Sequence, residues 1–304
     1  MMPIPTRFNP MGKSNKPTAF ELVVKPGILT TGMSYGFTPY WNEGGYCFVD
    51  WGDGSKEDAT KSGTKLNHTY AEAGTYTIKI KSECYQVGFA GWDSYPIVDS
   101  CSGDWDKLGN LTSGYLMFYN CTNMQIDCTS LPDGLTNGQL MFCLCKTAKF
   151  SSVSLPESLT NGSSMFDSCS NAELPLISLP NALTNGNNMF SGCRNAQLPL
   201  TSLPEGLTTA RGMFYVCGKA EIKLTKLPSE LTDCYRMFQY CNAEINLDTL
   251  VANAPEEGWT KLTNITNMFN GCSKVTGSRS AFLAKCPANV TGADTAFIGT
   301  NTTE

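Results

Sequence analysis

The amino-acid sequence predicts a mainly β chain: a small antiparallel sandwich followed by a right-handed solenoid of seven units of roughly 24 residues. Three observations carry that expectation. The dipeptide Met-Phe recurs at Met117, Met141, Met165, Met189, Met213 and Met237 in steps of 24 residues, and once more at Met268 after seven extra residues. Three residues after each of these phenylalanines stands a cysteine: Cys121, Cys145, Cys169, Cys193, Cys217, Cys241 and Cys272. Ahead of the repeats, and within each of them, apolar residues alternate with polar ones at the period of a strand.

The repeat can be written LPxxLTxxxxMFxxCxxAx(I/L)xLxx, because Leu-Pro pairs at Leu131, Leu155, Leu179, Leu203 and Leu227 are each followed four residues later by Leu-Thr. So short a unit cannot bury its own apolar face and must stack on its copies. Ala172, Leu174 and Leu176 alternate with Glu173 and Pro175, and Ala196, Leu198, Leu200 and Ala220, Ile222, Leu224 repeat the pattern. These segments are expected to be parallel strands about 4.8 Å apart, so that the seven units span roughly 35 Å. Pro175 and Pro199 give no N–H to such a ladder, so the strands should be very short. The LTNG segments at Leu159–Gly162 and Leu183–Gly186 read as turns whose Asn and Gly accept positive φ. In the last unit an insertion, Ala252–Trp259, is expected to bulge from a loop, and from Thr276 onward the pattern stops, as for a terminal cap.

Before the repeats, Phe20–Val24 reads as a strand, Cys47, Val49 and Trp51 point to one side of a second, and Tyr76, Ile78 and Ile80 to one side of a third. Between the last two lie WGDGS (Trp51–Ser55), a tight turn served by Gly52, Gly54 and Asp53, and HTYAEAGTY (His68–Tyr76). The expected organisation is an extended arm over 1–18, a β-sandwich over 19–100, the solenoid with its N-terminal cap over 101–275 and a C-terminal cap over 276–304.

VDWGDGS followed by HTYAEAGTYTIKI resembles the signature of PKD-like domains of the immunoglobulin type. The MFxxC array resembles the BspA-like leucine-rich repeats of bacterial surface proteins. The two resemblances cover about 19–275 and imply a PKD-like sandwich, a leucine-rich-repeat solenoid, and adhesion or protein binding rather than catalysis.

Composition narrows the function. Only 16% of the residues are charged, the net charge is −5, and no basic stripe is present to neutralise a nucleic-acid backbone. No apolar run reaches the roughly 18 to 20 residues that cross a bilayer, and no secretory leader or sorting tail is recognisable, so membrane insertion is not expected. The seven repeat cysteines read as buried, reduced, space-filling thiols, because parallel side chains rarely meet disulfide geometry and zinc needs converging ligands. His68, the one histidine, lies in the other module, which argues against Cys-His catalysis. Asp50, Asp53 and Asp58 are read as turn caps in preference to a calcium site. No metal and no cofactor is expected, nor any enzyme activity.

What remains is surface. Residues flanking Met-Phe vary from unit to unit, among them Tyr119 and Asp167, and tyrosine and arginine are common binding anchors. Arg211, Tyr215, Tyr235, Arg236, Gln239 and Tyr240 form the candidate contact face, weighed against ordinary exposed residues on a solenoid edge. A second face would be Gln125, Lys149, Glu173, Gln197 and Glu221. The function expected is that of a non-catalytic recognition or structural protein on a virion surface, a bacteriophage decoration or fibre component. It would bind a protein or glycan on a cell surface, with a capsid or tail protein held through the arm. The alternative is an extracellular or cell-surface bacterial adhesin.

Overall fold

The computed structural model describes residues 19–28, 33–89, 97–127, 130–150, 154–172, 174, 176, 178–196 and 198–304. The expected arm over 1–18 lies outside them, as do Glu173 and Gln197 of the second candidate face. The fold is mainly β, with several sheets and two short α-helices among the described residues.

The first module contains β1 (Phe20–Val24), β2 (Ser34–Tyr40), β3 (Cys47–Asp50), β4 (Lys56–Asp58), β5 (Leu66–Thr69), β6 (Tyr76–Ser82), β7 (Gln86–Gly88) and β8 (Val98–Gly103). The three strands legible in the sequence are β1, β3 and β6. β1 lies between β8 and β6, antiparallel to both, and the sheet continues through β3 to β4. Its pleat turns Phe20, Leu22 and Val24 inward. β2 pairs with β5 and β7 in a second sheet, and Phe37 of β2 meets Trp51 at 5.9 Å and Phe89 at 5.4 Å.

The WGDGS turn closes as its residues dictate. Gly52 and Gly54 adopt φ of 84° and 98°. The Asp50 carboxylate accepts the Gly52 N–H at 3.1 Å and that of Asp53 accepts the Ser55 N–H at 2.9 Å. The other Asp53 oxygen lies 2.7 Å from His68 Nε2, whose ring stacks on Trp51 at 5.0 Å. The Ser55 N–H, and after it His68, hold the Asp53 carboxyl below its ordinary range. A carboxyl depressed on folding adds stability above its unfolded pKa, about 3.9, and loses it as pH falls through the folded value. The module is therefore expected to lose thermal stability below about pH 4, and Asp53→Asn to flatten that part of the curve. Melting curves between neutral and acid pH check this, and an unchanged acid limb in the variant would refute it.

Both sheets run on into the repeats. β9 (Gln125–Asp127) adds in parallel to β8, and β10 (Lys149–Phe150) to β9, giving one sheet of order β10-β9-β8-β1-β6-β3-β4. The boundary drawn between 100 and 101 falls inside β8. On the other side Gln86 of β7 bridges Ser113 in parallel, the first step in a line through Asn137, Asn161, Asn185, Thr209, Asp233, Asn264 and Thr291.

The units stack in chain order through alternate backbone amides. Gly162, Ser164, Phe166 and Ser168 donate to the carbonyls of Asn185, Asn187, Met189 and Ser191 at 2.7–2.9 Å. Threonine hydroxyls add a second line, as from Thr184 to Thr160 and from Thr208 to Thr184. The φ of the residue before each Met-Phe is positive, 51–57° at Leu116, Leu140, Ser164, Asn188, Gly212, Arg236 and Asn267. The residue before each repeat cysteine is left-handed too, at 57–76° for Asn120, Leu144, Ser168, Gly192, Val216, Tyr240 and Gly271. A left-handed side-chain-bearing residue costs on the order of 1–3 kcal/mol. Most of these residues recover it by donating their N–H to the next unit's carbonyl, as Arg236 does to Thr266 and Tyr240 to Asn270, both at 2.9 Å.

Two local expectations are corrected. Gly138, Gly162 and Gly186 of the Asn-Gly pairs are not left-handed; they are small because the next unit's methionine lies against them. A Cβ on Gly162 would fall 2.9 Å from Met189 Sδ. The preceding Asn instead caps the turn, Asn161 Oδ1 accepting the Ser163 N–H at 3.1 Å. Nor do Leu198–Leu200 and Ala220–Leu224 form strands, although Ala196, Leu198, Leu200, Ala220, Ile222 and Leu224 are buried. Pro199 has no N–H to donate, and single bonds such as Lys223 to Leu200 at 2.9 Å replace a ladder.

One column of phenyl rings runs through both parts: Phe20, Phe89, Phe118, Phe142, Phe166, Phe190, Phe214, Phe238, Phe269 and Phe297. Successive centroids lie 5.4–5.8 Å apart. The far end carries β11 (Ile245–Asn246), α1 (Leu247–Ala252), β12 (Val275–Ser278), α2 (Arg279–Ala284) and β13 (Asn301–Thr303), and β11, β12 and β13 pair in parallel. The insertion stands out at Asn253, Glu256 and Glu257, which are exposed, but it ends in Trp259, fully buried against Phe282 at 4.9 Å with its indole N–H on the Leu227 carbonyl. The pattern also outlasts residue 275: Thr291 bridges Asn264 and Phe297 stacks on Phe269, with Ala296-Phe297 standing where Met-Phe stood.

Candidate functional site

The repeat cysteines point into the stack, each at most 4% exposed. Their thiols do more than fill space. Cys145, Cys169, Cys193, Cys217 and Cys272 donate to the carbonyls of Phe118, Phe142, Phe166, Phe190 and Phe238, one unit back, at 2.7–3.1 Å. All seven sulfurs are free thiols. Burial pushes their pKa values up, to about 12 for Cys121, to about 11 for Cys272 and well above the ordinary thiol range for Cys145 through Cys217. Since the thiolate is the reactive form, these seven residues are expected to resist iodoacetamide at pH 8 in the folded protein and to react in denaturant. Peptide mass mapping checks this, and native labelling at Cys193 would contradict it. Cys84 is different: a hydrogen bond from Cys47 lowers its pKa, and it lines a cavity of about 600 Å³ with Glu43, Glu83 and Asn110, yet it is itself buried.

Because units stack in register, residues 24 apart stand one above another. Asn187, Arg211 and Tyr235 make one row; Asn188, Gly212 and Arg236 the next; Asp167, Ser191, Tyr215 and Gln239 a third. These rows enclose a cavity of about 310 Å³ lined by Asp167, Asn188, Ser191, Arg211, Gly212, Tyr215, Tyr235 and Arg236. Gly212 opens it: a Cβ there would meet the Asn188 side-chain oxygen at 2.4 Å.

Four of the six predicted contact residues, Arg211, Tyr215, Tyr235 and Arg236, line this pocket. The Arg236 guanidinium lies over the Tyr235 ring at 4.9 Å and the Tyr215 ring at 5.9 Å. Its Nε is buried without a hydrogen-bond partner. Arg211 also covers Tyr235 at 4.9 Å but pairs with Asp233 at 2.8 Å. Tyr240 is 54% exposed and tilts against Tyr215 at 6.4 Å, beside the pocket. Gln239 is corrected: it is only 6% exposed, a buried residue and not a surface contact, with its carbonyl oxygen unpaired. Across the pocket Asp167 accepts the Ser168 hydroxyl at 3.0 Å, and burial raises its pKa.

Sequence reasoning missed Asn188, Ser191 and Gly212. The signal was the repeat register itself, which sets Asn188 and Gly212 in one row with Arg236 and Ser191 in one row with Tyr215. Of the second face, Gln125, Lys149 and Glu221 are exposed.

Fold and site together define a mainly β protein carrying an arginine-tyrosine pocket on a face built from successive repeats. No protein-family model, no curated protein and no solved structure matches the chain. Among the described residues no helix is long and apolar enough to cross a membrane.

Proposed function

We propose that this is a non-catalytic recognition protein in which a PKD-like sandwich seats a leucine-rich-repeat solenoid of the BspA-like kind, and that the pocket face binds a cell-surface protein or glycan. One observation carries the reading: Arg211 and Tyr215 of one repeat and Tyr235 and Arg236 of the next converge on one cavity of a stacked scaffold. Rigid aromatic and arginine anchors on a fixed frame lower the cost of ordering on binding. The residues that Cys-His chemistry would need are otherwise engaged, His68 with Asp53 and Trp51, and the repeat thiols, for the most part, with phenylalanine carbonyls.

The setting we propose is the surface of a bacteriophage particle, as a decoration or fibre component, with residues 1–18 docking on a capsid or tail protein. The alternative setting is a bacterial surface adhesin. Probing the intact protein against glycan arrays and a panel of cells should give binding that Tyr235→Ala abolishes. Binding indifferent to that change, or none, would overturn the reading. Immunogold labelling of particles against labelling of bacterial envelopes separates the two settings.

A further inference from the structure

The pocket's chemistry is more specific than a general contact face. Arg236 is a guanidinium held between two tyrosine rings, and among the described residues no carboxylate pairs with it. A buried guanidinium N–H without an acceptor is costly, and a planar fork of donors matches a carboxylate in particular. The neighbouring Arg211 is already committed to Asp233, so Arg236 is the cation open to a ligand.

The rest of the lining is not that of a site for a bare anion. Asp167 would repel one, but a half-buried carboxyl, with the Asn188 amide and the Ser191 hydroxyl, suits the donors and acceptors of a sugar's hydroxyl groups. Tyr215 offers an apolar ring with a polar tip, against which a pyranose ring can lie, while the Tyr235 ring, covered by both guanidinium groups at 4.9 Å, holds Arg236 in place. The volume, about 310 Å³, stands at the small end of ligand pockets, room for one ring and not for a length of peptide.

We infer that this pocket receives a single acidic sugar residue of a glycan, its carboxylate on Arg236, its ring against Tyr215, and its hydroxyls on Asp167 and Asn188. The inference rests on the recognition reading above and deepens it. Gly212 is then a specificity-determining residue, since a Cβ there would fall 2.4 Å from the Asn188 side-chain oxygen and displace the amide that faces the sugar.

The test uses the intact protein on an array of oligosaccharides ending in glucuronic acid or sialic acid, the same glycans with the carboxyl reduced to an alcohol, neutral counterparts, and an acidic peptide. Acidic glycans are expected to bind at least about tenfold more tightly than their reduced forms, the scale of one charge-assisted hydrogen-bonded contact. Arg236→Gln should erase that difference, and Gly212→Ala should abolish binding of the acidic glycans. The carboxyl-reduced ligands test the idea on the unaltered protein, so a variant that fails to fold does not decide it. Equal binding of acidic and reduced glycans, full binding by Arg236→Gln, or preference for the acidic peptide would each overturn the inference. Neutral glycans bound through Tyr235 would overturn it while leaving the recognition reading intact. Absence of any binding through this face would overturn both.

Discussion

Phe190→Ala is expected to destabilise the protein by about 3–5 kcal/mol, the range for removing a large buried ring from a well-packed core. Phe190 is fully buried and stacks on Phe166 at 5.6 Å and on Phe214 at 5.7 Å, so its loss opens a cavity shared by two interfaces. The backbone cannot close that gap, because the amides of Phe166 and Phe190 already fix the spacing by donating to Met189 and Met213 at 2.9 Å. In a stack, each unit's stability comes largely from its neighbours. Urea unfolding should therefore show a lower midpoint and a broader transition, as the halves on either side uncouple. An exposed control, Lys219→Ala, should shift little. An unchanged midpoint for Phe190→Ala would mean that the ring column does not hold the repeats together.

Phe89→Ala is expected to cost a similar amount, about 3–5 kcal/mol, with a different consequence. Its ring touches Phe20 at 5.7 Å, Phe37 at 5.4 Å and Phe118 at 5.4 Å, joining both sheets of the first module to the first repeat. Its N–H donates to the Met117 carbonyl at 2.9 Å, the same bond that each later Phe makes one unit on. Val87-Gly88-Phe89 thus acts as a starting template for the stack. Removing the ring should raise hydrogen exchange in β1, β8 and β9 while amides around Phe190 and Phe214 keep their protection. Exchange rising evenly along the chain would refute a local seam.

The two expected losses differ because the column is continuous but its surroundings are not. Around Phe190 the neighbours are near-identical units. Around Phe89 the two sheets of the first module meet them, and the parallel pairing of β8 with β9 is the main backbone link on that side.

Much was legible in the residues. The 24-residue step placed Met117, Phe118 and Cys121 and their copies in the interior, since only stacking buries so short a unit. Alternation found β1, β3 and β6. It missed β2, where Tyr35, Gly36 and Phe37 are all buried and break the period, and β8, whose burial does not alternate either. The contact residues Arg211, Tyr215, Tyr235 and Arg236 were legible as variable anchors beside an invariant core. The burial of Gln239, in the same row as Tyr215, was not.

The sequence by itself determined the period, the inward side chains, and which residue types are available to the site, because spacing along a chain is a covalent fact. Only the tertiary structure decided where the parallel ladder runs, that side-chain-bearing residues such as Val216 and Arg236 take left-handed backbone, that Gly212 opens a pocket, and that the repeat persists to Phe297. Those outcomes depend on the neighbouring unit: a strained φ is held by an amide bond to the next turn, and a cavity exists only between side chains that stacking brings together.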